Sequence, residues 1–537
     1  MKWIPKTVCW LLCCSGMHVA RSQGFFQMTT YKGAFGATDW TQTWTNWNPR
    51  NTSYPASTIT VQGSITGHTT WTASNTYLLK GYVYVKNGAT LTIEPGTIIR
   101  CEDISTSTLI ITRGSKIIAE GTAALPIVFT SSQSAGSRNY GDWGGLVILG
   151  NARINAAGGT ADVGAGINNT QGDGLYGGND DEDSSGVLKY VRVEFPGIQY
   201  QPDKEINGVT LAGVGSRTKI DYLQVSFCGN DALKLSGGVP KIRHFITHRT
   251  YDSDIACDLG CRGMFQFGVV LRDSSKANAT GASSLEVQND GLATAASPMT
   301  DPTFSNLTLL GPLTSLTTPY SSNYRYGIHL RRNGRMALFN SAIAGYPRGI
   351  MLDGPGCGNQ MKDGKIFLQN SVFAGNKIKM ADTTGKVSMI MQAFDFAGWI
   401  TDATRANATF NSPKDLKLAN PYQYTSPQFV LQGGSPLSSG ASFSHVRLNE
   451  TESIRDLALP NTLRYHLSAG TLQLFALSKN QFTQLELVDL SGRVLFSSAF
   501  LPAGEYRIPV DARLSLVVLR LATQKGEIYS LLIPSQP

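Results

Sequence analysis

Charge is scarce in this chain. Lys, Arg, Asp and Glu make up 16% of its 537 residues, against about 25% in ordinary soluble domains. That shortage excludes a disordered polyelectrolyte and a coiled coil, both of which need abundant charge or an Ala/Glu/Lys/Leu/Arg bias. The net charge of +8 is thin over such a length, and basic runs such as Arg331-Arg332 are short. No basic stripe with interleaved aromatics is present, so nucleic acid is not an expected partner. No segment after the N-terminus holds about 18 uninterrupted apolar residues, so no transmembrane segment is expected. A Ser-His-Asp elbow, a phosphate loop and a dinucleotide fingerprint are all missing; Gly213-Val-Gly215 is too short for the last. Glycine, by contrast, is plentiful, with 56 residues. The balance is a β-rich, turn-rich chain, too long for one compact domain of about 100–200 residues.

The two ends carry address signals. Residues 1–22 read as a secretory signal peptide: Lys2 and Lys6, a short apolar core over 8–14, and Ala20-Arg21-Ser22, with cleavage expected after Ser22. Trp10-Leu11-Leu12, ahead of Cys13 and Cys14, are too large for a lipid-attachment box. Loss of the leader leaves Cys101, Cys228, Cys257, Cys261 and Cys357, an odd number, so at least one thiol stays unpaired. Cys257 and Cys261 either bridge a loop or lie unoxidised in a core. His244 and His248 lie nearby, but the spacing fits no zinc template.

Between these ends one eight-residue pattern recurs. Its copies are Tyr190-Val-Arg-Val-Glu-Phe-Pro-Gly197, Tyr222-Leu-Gln-Val-Ser-Phe-Cys-Gly229, Phe304-Ser-Asn-Leu-Thr-Leu-Leu-Gly311, Leu338-Phe-Asn-Ser-Ala-Ile-Ala-Gly345 and Leu368-Gln-Asn-Ser-Val-Phe-Ala-Gly375. A strand-and-turn unit returning every 20–35 residues signals a solenoid. Period-2 alternation and the lack of helical periodicity make it an all-β right-handed parallel β-helix, expected over 76–411. The Asn at the third position of three copies is expected to form an inward amide ladder. Residues 23–75, with Trp40, Trp44, Trp47 and Trp71, are expected to cap the first coil, with sugar stacking as the other use of these rings. Residues 412–461 read as an irregular end and linker. From Thr462 to 537, short alternating strands with Gly turns predict a small C-terminal β-sandwich.

Val488-Asp-Leu-Ser-Gly-Arg493, the Pro502-Ala-Gly504 turn and the terminal hairpin resemble the C-terminal sorting domain of type IX secretion in Bacteroidetes. The resemblance implies the type IX machinery as a partner, and release or surface attachment after export. Ser515-Leu-Val517 departs from the usual Gly-x-Tyr, and Pro534-Ser-Gln-Pro537 lacks the usual basic ending. Tyr31-Lys-Gly-Ala-Phe-Gly36, Asn87-Gly-Ala-Thr-Leu-Thr-Ile-Glu-Pro-Gly96, Gly141-Asp-Trp-Gly-Gly-Leu-Val-Ile-Leu-Gly-Asn151 and Gly434-Ser-Pro-Leu437 are similar to motifs of a Bacteroidetes family of secreted and surface proteins. That family is related to a leptospiral outer-membrane lipoprotein. The likeness covers about 24–445 and implies a pectin-lyase-like β-helix at the cell surface; it implies no particular activity.

Two acidic clusters are candidate sites. Asp180, Asp181 and Asp183, in Asn179-Asp-Asp-Glu-Asp183, suit Ca²⁺, which takes about 6–8 oxygen ligands. Asp252, Asp254 and Asp258 follow Arg249; Asp254 and Asp258 are further Ca²⁺ candidates. The resembled family more often has Asp where this chain has Ala256. On neighbouring coils of one face, Asp231, Lys234, Arg249, Asp252 and Asp254 form a candidate catalytic set. The competing reading is that Asp and Asn cap turns. Function therefore divides between a non-enzymatic secreted or surface protein, used for adhesion, glycan binding or envelope structure, and a calcium-dependent polysaccharide lyase or a glycoside hydrolase. If Asp231, Lys234 and Asp252 point to different faces, the lyase reading fails.

Overall fold

The computed structural model describes residues 24–201, 204–279, 281–382 and 395–448, and seven strands between 463 and 534. The expected leader, 1–22, and the 490–493 and 501–503 turns lie outside the described residues. The chain divides into a unit of 28–444 and a unit of 1–27 with 445–537.

The larger unit is a right-handed parallel β-helix in which 27 strands pair only with the coil before and the coil after. Its strands stack into three faces. Long strands such as Gly186–Glu194, Lys219–Ser226, Lys241–His248 and Met264–Leu271 bend once and serve both the first face and the second. Leu233–Ser236, Ile255–Asp258, Ala282–Gln288, Tyr324–Arg331 and Arg348–Asp353 form the upper third face. Alternation sends Leu235, Cys257, Val287, Leu330 and Leu352 into one continuous core.

The bend between the first two faces is a single residue in the left-handed region. Successive coils place Tyr190, Tyr222, His244, Phe267, Asn306, Asn340 and Asn370 there, all with φ between 42° and 59°. Such a conformation costs about 1–3 kcal/mol for a residue with a side chain, and the four rings offset it by stacking. Their centroids are 4.3, 4.4 and 4.9 Å apart along Tyr190–Tyr222–His244–Phe267. Asn tolerates this region better, because its short amide bonds locally. The amides point outward, against expectation: Asn306 donates to the Tyr31 carbonyl at 3.0 Å and Asn340 to the Ser442 carbonyl at 2.9 Å.

Those acceptors belong to a strap that corrects the expected N-terminal cap. The outer side of the second face is apolar, with Ile246, Val269, Leu271, Leu310, Ala344 and Val372, and it needs a cover. Phe35, Trp44 and Trp47 from the N-terminal segment and Leu416, Phe429 and Leu437 from the far end supply it. Phe35 stacks on Phe429 at 4.7 Å, and Lys32 N–H donates to the Leu437 carbonyl at 2.8 Å. The first coil begins earlier than expected, because Ile59–Ile65 already pairs with Thr76–Val85. Trp71 is a core residue of that coil and stacks on Tyr77 at 4.9 Å.

All five cysteines after residue 100 are buried free thiols, so Cys257 and Cys261 take the unoxidised alternative. Among the described residues no helix is long and apolar enough to cross a membrane. The smaller unit holds two antiparallel sheets. One contains Leu463–Ser468, Thr471–Ala476 and Gly504–Pro509. The other contains Val494–Ser498, Phe482–Asp489, Leu516–Thr523 and Ile528–Pro534, with Leu485, Leu487 and Val488 buried.

His248 is fully buried beneath the strap, edge-on to Trp47 at 5.0 Å. Burial, aided by Arg249, pushes its imidazole down to about 3. Below the usual histidine pKa of about 6.5 the unfolded chain binds a proton that the native state refuses. This residue's contribution is therefore complete above pH 6.5 and declines by up to about 1.4 kcal/mol per unit as the pH falls toward 3. Denaturant titrations of wild type and His248→Leu between pH 7 and 4 should show a shallower loss in the variant; equal slopes would refute the assignment.

Candidate active site

The outer side of the third face changes character along the stack. On the early coils it is apolar, with Ile110, Val147, Leu149 and Ala212. There the 151–185 excursion covers it with Ile154, Ile167 and Tyr176, and Tyr84 donates to the Ile167 carbonyl at 2.7 Å. On the later coils it is charged. Strand register places Lys234, Ala256, Glu286 and His329 in one outward row, and Gln288, Arg331 and Asp353 in the next. The Lys234, Arg331 and Asp353 side chains are 21%, 28% and 34% exposed, so this half of the face reaches solvent.

These side chains form a connected network. Lys234 Nζ lies 2.8 Å from Asp258. His329 bridges Glu286 at 3.5 Å through Nδ1 and Asp353 at 3.1 Å through Nε2. Arg331 reaches the other Glu286 oxygen at 3.5 Å. Burial alone would raise Glu286, but His329, Arg331 and Lys234 outweigh it and hold the carboxyl at about 2. Burial likewise disfavours a charged His329, yet Asp353 and Glu286 outweigh it and raise the imidazole. Ala256 sits between Lys234 and Glu286 in the row. Its small side chain leaves Lys234 room to lean to Asp258.

Asp231 and Asp252 stand at the corner where successive coils enter this face. Asp231 Oδ1 accepts the Ser253 N–H at 3.1 Å, and Asp252 Oδ2 accepts from Asn278 at 3.1 Å. Burial pushes Asp231 well above the usual carboxyl range; Asp252 and Glu286 add to this and Lys234 opposes it. Lys234 is itself raised: burial works against its charge, but Asp258 and Asp231 overcome it. Asp231 thus feels both the Lys234 ammonium and the Asp252 carboxyl across this corner. Beside them opens a cleft of 420 Å³ whose lining includes Tyr140, Gln199, Glu205, Tyr251 and Lys276. Gly229 closes its floor: a Cβ there would stand 2.6 Å from the Gly197 carbonyl oxygen.

Other expected site residues have structural duties. Arg249 is committed to Asp273 at 2.8 Å and lies against the Phe227 and Tyr424 rings. Asp254 is fully buried and receives Arg272 Nε at 2.6 Å and Ser284 Oγ at 3.0 Å. The same guanidinium donates to the Asp252 and Ser283 carbonyls, so this pair fixes the loop that carries Asp252. In the acidic loop, arginines take Asp181 and Glu182. Asp181 takes Arg153 at 2.5 Å and Arg262 at 3.0 Å, and these two outweigh burial to hold its carboxyl down. Asp183 accepts from Asn151 and Ser185, both at 3.1 Å; Asp180 accepts the Glu182 N–H at 3.0 Å. Asp258 faces Lys234. Among the described residues no three His, Cys, Asp or Glu side chains converge as a metal site. Arginines thus occupy the Asp181 and Asp254 carboxylates, and Lys234 occupies Asp258, where calcium ligation was expected.

Sequence reading missed Glu286, His329, Arg331 and Asp353. Their signal was present in Leu233-Lys-Leu-Ser236, Leu285-Glu-Val-Gln288 and Ile328-His-Leu-Arg331, where polar residues alternate with core residues.

A three-faced coil of stacked strands, one flank of it charged and open, defines a parallel β-helix. A family model described as a pectate-lyase like beta helix domain matches residues 63–413, and the chain belongs to that family. No curated protein matches the chain. Among solved structures, the enzymatically active domain of bacteriophage CBA120 tailspike protein 2 is similar at 10% identity and a TM-score of 0.21, over 86% of this chain and 72% of that one.

Two outcomes follow from these assignments. Arg272→Met strands the Asp254 carboxylate in the core and should cost about 3–5 kcal/mol of stability, seen as a large fall in thermal midpoint; a fall of a degree or less would contradict the pairing. Millimolar Ca²⁺ should leave the wild-type midpoint unchanged, and a clear rise would restore the calcium loop.

Proposed function

We propose that this chain is an exported, secreted or cell-surface β-helix protein that engages polysaccharide along the upper third face. The observation that carries the proposal is the change of that face from apolar and covered to charged and open, beside the 420 Å³ cleft. Nothing in the packing of a β-helix requires ionised side chains on an outer face. A patterned row of donors and acceptors matches the hydroxyl and carboxyl groups of sugars. Export is supported by the leader and by the resemblance of 462–537 to a type IX sorting domain, which makes that secretion machinery the proposed partner.

Calcium-dependent elimination lacks its parts here. Its candidate base, Lys234, is held protonated between Asp258 and Asp231; Arg249 is bound to Asp273; Asp254 is sealed in the core. Adhesion or glycan capture needs only the surface itself.

Binding of purified protein to immobilised neutral and acidic polysaccharides tests the reading. Arg331→Ala and Lys276→Ala should each weaken a bound polysaccharide about tenfold, which is about 1.4 kcal/mol. Full affinity in both variants would remove the third face from the interaction.

A further inference from the structure

We propose that the first coil of the β-helix is an interface, and that a second copy of this chain occupies it by end-to-end pairing about a two-fold axis. The inference stands on the ends of the coil stack and is independent of the polysaccharide reading.

The two ends are built differently. At the far end the short helix Phe396–Thr401 lies against the last coils, and its Ile400 is fully buried in the continuous core. At the near end, among the described residues, no helix or strand covers the core. Ile59–Ile65 pairs only with Thr76–Val85, and Thr69–Trp71 only with Thr90–Ile93. The other edge of each strand has no strand partner among the described residues, and such an edge is a template for pairing with another chain. Register sets Ile59 beside Tyr77, Val61 beside Leu79 and Ile65 beside Val85, so these three side chains point into the coil. One coil on, Leu79 and Val85 are sealed. At the end itself Ile59 is 39% exposed, and Val61 and Ile65 are only partly buried. The core therefore ends in an open apolar row.

Composition indicates which partner fits. Native proteins blunt exposed edges with charged side chains, proline or a covering element. Here residues 51–79 hold no Lys, Arg, Asp or Glu, although 16% of the chain is charged, and neither edge strand contains proline. His68, between the two strands, is committed to the next coil, where its Nδ1 accepts the Thr90 N–H at 3.1 Å. A two-fold contact is isologous, with the same patch on both copies. Charges near the axis would meet their like, and like charges opposite one another destabilise a strand pair. Self-pairing thus favours an end without charge, whereas a partner selected by charge has nothing here to select.

The pairing reuses what holds the stack together. A two-fold axis across the stack reverses strand direction, so Ile59–Ile65 lies antiparallel to its counterpart, a ladder at least as stable as the parallel one. Ile59, Val61 and Ile65 of each copy then close the core of the other. Thr60, Gln62 and Ser64, on the outward side of the same strand, are polar and uncharged, and can hydrogen-bond across the new pair.

Sedimentation velocity of the purified full chain over rising micromolar concentrations, with amide hydrogen exchange on the same samples, tests the proposal. A dimer is expected, with the amides of 59–65 and 69–71 protected in it and losing protection on dilution. Ile59→Lys and Gln62→Lys should each raise the dissociation constant at least about tenfold, with the thermal midpoint confirming that the variant is folded. If Ile59→Lys fails to fold, Gln62→Lys carries the test. A wild-type monomer at every concentration overturns the proposal; protection of 59–65 in that monomer would show that another segment of the chain covers the end. A dimer unmoved by the charged variants lies on another surface and overturns it as well.

Discussion

The structure depends on vertical register between coils. A parallel coil has no partner but the coils above and below, so each residue must stand over its counterpart. A slip of one position would turn core leucines outward and charged residues inward along a whole face. The same constraint that stacks Leu235, Cys257, Val287 and Leu330 inside also stacks Lys234, Ala256, Glu286 and His329 outside. Core and candidate site are two sides of one alignment.

Register also explains why the charges can differ so much in state. Side chains held a coil apart cannot move away from one another, so each is set by fixed neighbours. Glu286 is held down because two cations are built beside it, whereas burial and the neighbouring carboxyl groups push Asp231 up. Ala256 contributes by being small. The opening it leaves is what lets Lys234 serve Asp258 while still facing Asp231.

The repeat was legible in the chain because it obeys local rules. The five eight-residue copies lie where strands of the first and second faces bend, and each closing glycine lies at the turn that follows. In the last three copies the third position is the left-handed corner itself, which accounts for its Asn residues; in the first two the corner is the opening Tyr190 or Tyr222. What was not legible depended on distant partners. Asp254 reads like any loop carboxylate until Arg272 is seen behind it, and Asp181 is taken by Arg262, 81 residues on. The Trp-rich segment was recognisable as a cover, but where it lies depends on the apolar outer side of the second face. Glu286, His329, Arg331 and Asp353 on the third face escaped notice because their strands lie outside the eight-residue motif.

The strap that joins Lys32 to Leu437 has a consequence for how such a molecule can evolve. Its two arms run across the coils from Tyr190 to Val372 and meet over them. Its length is therefore a ruler. Coils inserted or lost beneath it would leave the arms short or slack, and the paired ends would no longer meet. The N-terminal arm also ties to earlier coils, where the Arg50 carbonyl accepts the Gly136 N–H and Arg138 donates to the Pro49 carbonyl, so the measure extends below Tyr190 as well.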